Sequence, residues 1–279
     1  MGSRYGGLKQ IDPVGPSGEL MLDYAVYDAR QAGFRRVVFI IREDFEGVFR
    51  AKIGARYAGQ IAVDYVYQSP AALPEGFTAP PGREKPWGTG HAVWCAHDAL
   101  RENFAVINAD DFYGADSFRQ LADFLAQARA AQFALAGFGL ARTLSEHGAV
   151  SRGVCRTDGA GFLASVTEET GITPAEVGAG RKFSGDETVS MNCWGFTAAL
   201  FPLLDGQLRA FLRAHGTDAR AEFYLPAAVS AMVARREAAV RVLPAAGTWF
   251  GVTYREDKPR VQAALAALVR DGAYPKKLF

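Results

Sequence analysis

Short apolar runs alternate with longer amphipathic segments through the first half of this 279-residue chain. Val37 to Ile41 is an uninterrupted β-branched and aromatic run, and residues 61–67 alternate in polarity. Residues 19–32 and 116–130 instead have the apolar spacing of a helix with one buried face. Strands that alternate with helices in this way are typical of βαβ units. We therefore predict an α/β protein with a doubly wound, mostly parallel, Rossmann-like sheet.

The middle of the chain has a different, β-rich pattern. Strand candidates at 149–156, 162–168 and 187–196 are separated by a glycine-rich loop at 171–186. Helical periodicity returns after residue 197. We expect a smaller β-rich subdomain within a single domain that spans residues 1–279.

The composition excludes several classes of function. The formal net charge is +1, which offers no support for a nucleic-acid or membrane-surface partner, since such a partner normally requires a basic face or tail. The three cysteines lie far apart and form no CxxC pair, so neither a disulfide framework nor a zinc knuckle is expected. No apolar run approaches the roughly 20 residues that cross a bilayer, and no signal peptide is visible. We expect a cytoplasmic protein.

The N-terminal segment has the composition of a phosphate-binding loop. Gly2, Gly6 and Gly7 let the backbone approach a polyanion closely, so that its N–H groups can point at phosphate oxygens. Arg4 offers a planar fork for phosphate, and Lys9 offers a mobile point charge. The spacing matches neither a P-loop nor a dinucleotide-binding fingerprint.

A second glycine-rich turn follows a long proline-rich loop over residues 68–90. Gly88 and Gly90 flank Thr89 directly before a predicted helix that starts at about His91. Glycines here let the backbone pass close to a flat ligand, and a helix N-terminus favours anions. His91 lies in the first turn of that helix, where a packing role is the more common one.

Two aspartates follow the predicted strand 104–107. Ligands of open α/β sheets bind at the carboxyl ends of the strands, which is where Asp110 and Asp111 are expected. Mg²⁺ takes one or two protein carboxylates together with phosphate oxygens. Asp110 is therefore the candidate ligand for Mg²⁺ on a triphosphate.

In this order, the three motifs resemble those of the nucleotidyltransferase family of the GT-A-like fold, over nearly the whole chain. That family includes sugar-1-phosphate nucleotidylyltransferases and molybdenum-cofactor-type transferases. The resemblance implies that Arg4 and Lys9 are catalytic and that Asp110 binds the metal. It also implies a set of nucleotide-binding residues, namely Gly2, Gln68, Gly88, Thr89 and Gly90.

The resemblance extends to the acceptor side. Gly148 before a strand, Glu168 in the run 165–168 and Asn192 in the run 191–196 look like the family's sugar-binding positions. On this basis residues 1–140 form the nucleotide-binding part and residues 141–279 the acceptor-binding part.

The sequence departs from the family pattern at three places. Family members have a hydrophobic strand before the first loop, and the sequence starts within that loop, so a central strand is expected to be missing. Gly251 stands where relatives often carry a second metal-binding aspartate, which leaves Asp111, Asp257 or water as alternatives. Glu168-Glu169 replaces the Glu-Lys pair that commonly holds the sugar phosphate.

The resemblance implies transfer of a nucleotidyl group from an NTP to a phosphorylated small molecule, such as a sugar 1-phosphate, with release of pyrophosphate. Two alternatives stay open: a GT-A glycosyltransferase that uses a nucleotide sugar, and a catalytically impaired nucleotide-binding regulatory protein. The base, the acceptor and the oligomeric state are not fixed by the sequence, and a homo-oligomer is among the alternatives.

Overall fold

The computed structural model describes residues 12–252 and 254–279. Gly2, Arg4 and Lys9, which the sequence assigns to the phosphate loop, lie outside the described residues. Helices α1 to α7 comprise Met21–Gln31, Glu46–Lys52, Thr89–Cys95, Ala115–Gln127, Leu200–His215, Leu225–Ala234 and Lys258–Arg270. Strands β1 to β10 comprise Arg36–Ile41, Ala62–Tyr67, Phe104–Val106, Asp111–Phe112, Gln132–Gly139, Val150–Thr157, Leu163–Ile172, Thr188–Phe196, Ala239–Pro244 and Phe250–Gly251.

The strands form one large sheet and two small ones. The large sheet has six strands, with the order β7-β6-β8-β5-β9 and β3 beside β8. Strands β1 and β2 pair with each other in parallel, and β4 pairs antiparallel with β10. The α/β class predicted from the sequence is confirmed.

Strand β8 joins the two halves of the chain. It runs antiparallel to β5 along one edge, while its other edge pairs with β6 through Val189 and Ser190 and with β3 through Trp194 to Phe196. Parallel pairing, which the sequence suggested as the general pattern, occurs between β1 and β2 and between β5 and β9. The large sheet is therefore mixed, because a strand from the β-rich half lies between strands of the α/β half.

Strand β1 has the apolar sequence of a central strand, but it has one neighbour among the described residues. It pairs with β2, and the described residues place no strand against its other edge or against the second edge of β3. Of its six residues only Phe39 is fully buried. The Arg36 side chain connects the start of β1 to the chain before β3, since its Nη2 donates to the Ala99 carbonyl at 2.8 Å.

Helix α1 packs against the β1–β2 sheet and against the large sheet. Leu22 and Val26 contact the cluster that contains Phe39 of β1, whereas Ala25 belongs to the cluster beneath β5 and β8. Tyr24, on the same helix, packs against Tyr274 near the C-terminus. A helix with apolar residues on several sides can hold three parts of the core together. Helix α1 therefore connects the β1–β2 sheet, the large sheet and the C-terminal segment.

None of the helices in the described part of the chain is long and apolar enough to cross a membrane.

Candidate active site

Gln68 lies at the carboxyl end of strand β2, as expected for a ligand-binding residue of an α/β sheet. Its backbone N–H donates to the Ile41 carbonyl at the end of β1, at 2.9 Å. Its side-chain nitrogen Nε2 lies 2.9 Å from the Gly88 carbonyl and 3.0 Å from Nδ1 of His91. The structure therefore brings Gln68 together with the glycine-rich turn, although 20 residues separate Gln68 from Gly88.

The glycine-rich turn is packed tightly against the segment before helix α6. Gly88 has a φ of +99°, and a Cβ on it would lie 2.8 Å from the Phe223 carbonyl oxygen. The Gly90 N–H donates to the same carbonyl at 2.9 Å, and the Leu225 N–H donates to Oγ1 of Thr89 at 3.0 Å. The close backbone approach that the two glycines permit is thus made to another part of the protein.

His91 is fully buried at the start of helix α3. Its Nε2 lies 2.6 Å from the Ala72 carbonyl oxygen, and its ring stacks on Trp94. Burial lowers the pKa of His91, and the positive charge of Arg83 acts in the same direction. The imidazole is therefore neutral, and it contacts Gln68 from inside the protein.

The two aspartates lie where the turn after β3 meets strand β4. Asp110 is in the turn and Asp111 is the first residue of β4, and we call the segment 109–111 the aspartate turn. Asp110 is half-buried, while Asp111 is buried and accepts a hydrogen bond from Nδ2 of Asn108 at 2.9 Å. The phenol of Tyr113 donates to the Met191 carbonyl at 2.8 Å and lies 3.2 Å from Oδ2 of Asp111. Tyr113 thus connects the aspartate turn to strand β8, directly beside Asn192.

The donors at this turn suit a hard divalent cation. Carboxylate oxygens are ligands that Mg²⁺ prefers, and the cation completes its shell with phosphate oxygens and water. No group of three or more His, Cys, Asp or Glu side chains is placed to hold a metal ion within residues 12–252 and 254–279.

Gly251 faces this turn but has no room for a side chain. It pairs with Asp111 across strands β4 and β10. A Cβ on Gly251 would lie 2.2 Å from a ring carbon of Trp249 and 2.9 Å from Oδ1 of Asp111. The Trp249 ring thus fills the space that a carboxylate at this position would need.

Asp257 is the other acid that the sequence offered as a second metal ligand, but its carboxylate makes hydrogen bonds within the protein. It is buried, accepts a hydrogen bond from Oγ of Ser145 at 2.9 Å, and accepts a second one from the Tyr254 N–H at 2.9 Å. These bonds fix the start of helix α7, as expected for an acid at a helix N-terminus.

The residues that the sequence assigns to the acceptor side lie just before β6 and on strands β7 and β8. Gly148 lies two residues before the start of β6, and a Cβ on it would lie 2.6 Å from the hydroxyl oxygen of Tyr254. Glu168 is exposed on β7 opposite Gly153; neighbouring protein atoms raise the pKa of its carboxyl, and Arg152 counteracts this. Asn192 has a φ of +58° inside β8, a conformation that asparagine tolerates and that commonly marks a functional or strained position.

Arg152 is a residue that the sequence motifs did not single out. It is 7% exposed, and its guanidinium donates to Oγ1 of Thr143 at 3.1 Å and to the Ser151 carbonyl at 2.8 Å. The guanidinium also lies 5.0 Å from the centroid of the Trp249 ring. Burial lowers the pKa of Arg152 to about 10, while Asp111 and Glu168 act in the opposite direction.

The sequence contained a signal for this residue. Val150, Arg152 and Val154 alternate along β6 on the side that the strand turns to the core, and a basic residue in such a position is unusual. A buried cation is costly unless other groups compensate it, so Arg152 marks a place where negative charge is expected.

Comparisons with known proteins identify the family. The family model described as nucleotidyl transferase matches residues 8–168, which is more than half of the chain. The chain is also similar in structure to a putative glucose-1-phosphate thymidylyltransferase from Bacillus anthracis, solved in complex with a sucrose. The TM-score is 0.62 at 15% identity, over 92% of this chain and 86% of that one. None of the curated proteins matches.

At this low identity the structural similarity establishes the fold, and the family model establishes the membership. The chain belongs to the nucleotidyl transferase family and is a nucleotidyltransferase.

Proposed function

We propose that this enzyme transfers a nucleotidyl group from an NTP to a phosphorylated small molecule of the sugar 1-phosphate class. The observation that carries the proposal is the link between the aspartate turn and strand β8. The phenol of Tyr113 bridges the turn that holds Asp110 and Asp111 to Met191, next to Asn192 on the acceptor side. A site that joins two substrates needs this kind of connection between its two halves.

In the proposed reaction, an oxygen of the acceptor phosphate attacks the α-phosphorus of the NTP. A new P–O bond forms there, the bond from the α-phosphorus to the bridging oxygen breaks, and pyrophosphate leaves with the bonding electron pair. The attacking phosphate is already an anion, so no general base is required. The protein contributes mainly by positioning the substrates and by stabilising charge, as in other phosphoryl-group transfers.

The residues proposed for these tasks are those of the three motifs. Arg4 and Lys9, which lie outside the described residues, would stabilise charge on the phosphate chain. Asp110 would hold Mg²⁺, which when bound neutralises charge on the phosphates. Gln68 and the turn over residues 88–90 would receive the base, and Gly148, Glu168 and Asn192 the acceptor.

The experiment that tests the function is pyrophosphate release with Mg²⁺, from each of the NTPs against a panel of sugar 1-phosphates. We expect release with a particular pair of substrates. Binding of NTP with no release for any acceptor in the panel would contradict the proposed acceptor class. Consumption of a nucleotide sugar without pyrophosphate would instead indicate glycosyl transfer.

Asp110→Asn tests the assignment of the metal ligand. We expect the release rate to fall by about 10²- to 10³-fold, since a preorganised charge stabiliser is lost. Asp98→Asn is a matched control, because Asp98 is an acid that is 80% exposed and lies on the chain between α3 and β3. Near-full activity of Asp110→Asn would refute the role of Asp110.

A further inference from the structure

The hydrogen bonds of His91 fix which of its two nitrogens carries the proton. A carbonyl oxygen can only accept, so the 2.6 Å contact with Ala72 requires a proton on Nε2. Sγ of Cys95 lies 3.5 Å from the same nitrogen, which is a weaker contact. Because burial and Arg83 both lower the pKa of His91, the ring is neutral and Nδ1 has no proton. Nδ1 is therefore a hydrogen-bond acceptor.

The same reasoning fixes the orientation of the Gln68 amide. Its Nε2 lies 2.9 Å from the Gly88 carbonyl and 3.0 Å from Nδ1 of His91, and both of these groups are acceptors. A flipped amide would direct its oxygen at two acceptors and would lose both bonds. Both N–H groups of the Gln68 amide are thus used inside the protein. Its oxygen Oε1 accepts no hydrogen bond from the described residues.

We propose that His91 is a positioning residue, which holds the Gln68 amide so that its carbonyl oxygen is presented to an N–H donor of the nucleobase. This inference rests on the proposed function, in which Gln68 receives the base. It deepens that function, since it names the kind of atom that the site recognises and the buried group that sets this preference.

The surrounding structure makes the orientation rigid. The backbone of Gln68 is bonded to Ile41, and the Gly88 carbonyl belongs to a turn that is packed against Phe223. His91 is fully buried and stacks on Trp94. A recognition group whose partners are fixed before binding discriminates well, because a ligand that lacks the matching group leaves it unsatisfied.

The test compares binding of each NTP with that of its analogue methylated on the donor nitrogens of the base, such as N3-methyl-UTP and N6,N6-dimethyl-ATP. Dissociation constants are measured by titration calorimetry with Mg²⁺ but no acceptor. For the NTP that binds best, we expect the wild-type protein to prefer the unmethylated form by about 10- to 100-fold. Equal affinities would overturn the inference.

His91→Phe keeps a planar ring of similar size but removes the acceptor. We expect the preference to fall to within about threefold, because the Gln68 amide is then free to rotate. His91→Asn restores an acceptor and should recover part of the preference. His97→Phe is the matched control, since His97 also stacks on Trp94 but makes no contact with Gln68.

A purely structural role predicts a different result. In that case His91→Phe would lower the melting temperature while the preference for the unmethylated base stayed unchanged, and the inference would be wrong. Failure of the wild-type protein to bind any NTP would overturn the proposed function and the inference with it. Binding with a preference that does not depend on His91 would overturn the inference alone.

Discussion

Substituting Asp28 with asparagine should remove a large part of the pH dependence of stability. Asp28 lies near the end of helix α1 and is 2% exposed. Its Oδ2 accepts a hydrogen bond from the phenol of Tyr274 at 2.7 Å, while Oδ1 is buried and has no partner among the described residues. Burial raises the pKa of this carboxyl from 3.8 to about 7, and the Tyr274 hydrogen bond counteracts part of the effect.

The direction of the effect follows from proton binding. Between the unfolded pKa of 3.8 and the folded pKa of about 7, the folded protein holds a proton on Asp28 that the unfolded chain has lost. The free energy of unfolding therefore falls as the pH rises through this window. A difference of about 3 pKa units corresponds to about 4 kcal/mol over the whole window, and to roughly 2–3 kcal/mol between about pH 5 and pH 8.5.

Urea unfolding of the wild-type protein and of Asp28→Asn, at several pH values across this range, measures the effect. Asparagine keeps an acceptor for Tyr274 but does not ionise, so the variant should gain stability relative to wild type as the pH rises. Asp271→Asn is the control, because Asp271 is 66% exposed and its charge stays in water. A stability difference between wild type and Asp28→Asn that is flat with pH, or that reverses its sign, would refute the reasoning.

Two further predictions concern the surroundings of the aspartate turn. Gly251→Ala should destabilise the protein by about 1–3 kcal/mol in urea unfolding, because its Cβ would overlap the Trp249 ring. In Gly247→Ala the nearest atom is 3.9 Å away, so this control should be tolerated; equal effects of the two substitutions would contradict the steric argument. In the wild-type protein the charge of Arg152 lowers the pKa of Glu168, so Arg152→Met should raise that pKa, as measured by carboxyl ¹³C NMR. An unchanged Glu168 titration would show that the two groups do not interact.

Much of the fold could be predicted because it depends on local patterns. The apolar run at 37–41 and the alternation at 61–67 are strands β1 and β2, and the periodicity at 116–130 is helix α4. The observed ends of an element differ from the predicted ends where tertiary contacts extend that element. The strand predicted at 162–168 continues to Ile172, since Ile172 pairs with Val150 on β6.

Part of the candidate site was also visible in the sequence. The order of the motifs indicated the nucleotidyl transferase family, and Gln68 and the turn over residues 88–90 do lie together. The roles of Asp110, Glu168 and Asn192 stay predictions. Arg152 was missed because its alternation with Val150 and Val154 is a weak signal that belongs to no motif, and the structure shows its burial through the packing of Trp249 and Thr143 around it.

The sequence by itself determined the α/β class, the positions of most helices and strands, and the family, because hydrophobic periodicity and motif order are properties of neighbouring residues. Only the tertiary structure decided that β8 lies between β3 and β5, that the Trp249 ring occupies the space beside Gly251, and that His91 fixes the amide of Gln68. The pairing of β8 with β3 joins segments that lie about 90 residues apart, and the pairing of Gly251 with Asp111 joins residues 140 apart. Contacts of this kind depend on which surfaces pack together, and local sequence patterns do not specify that.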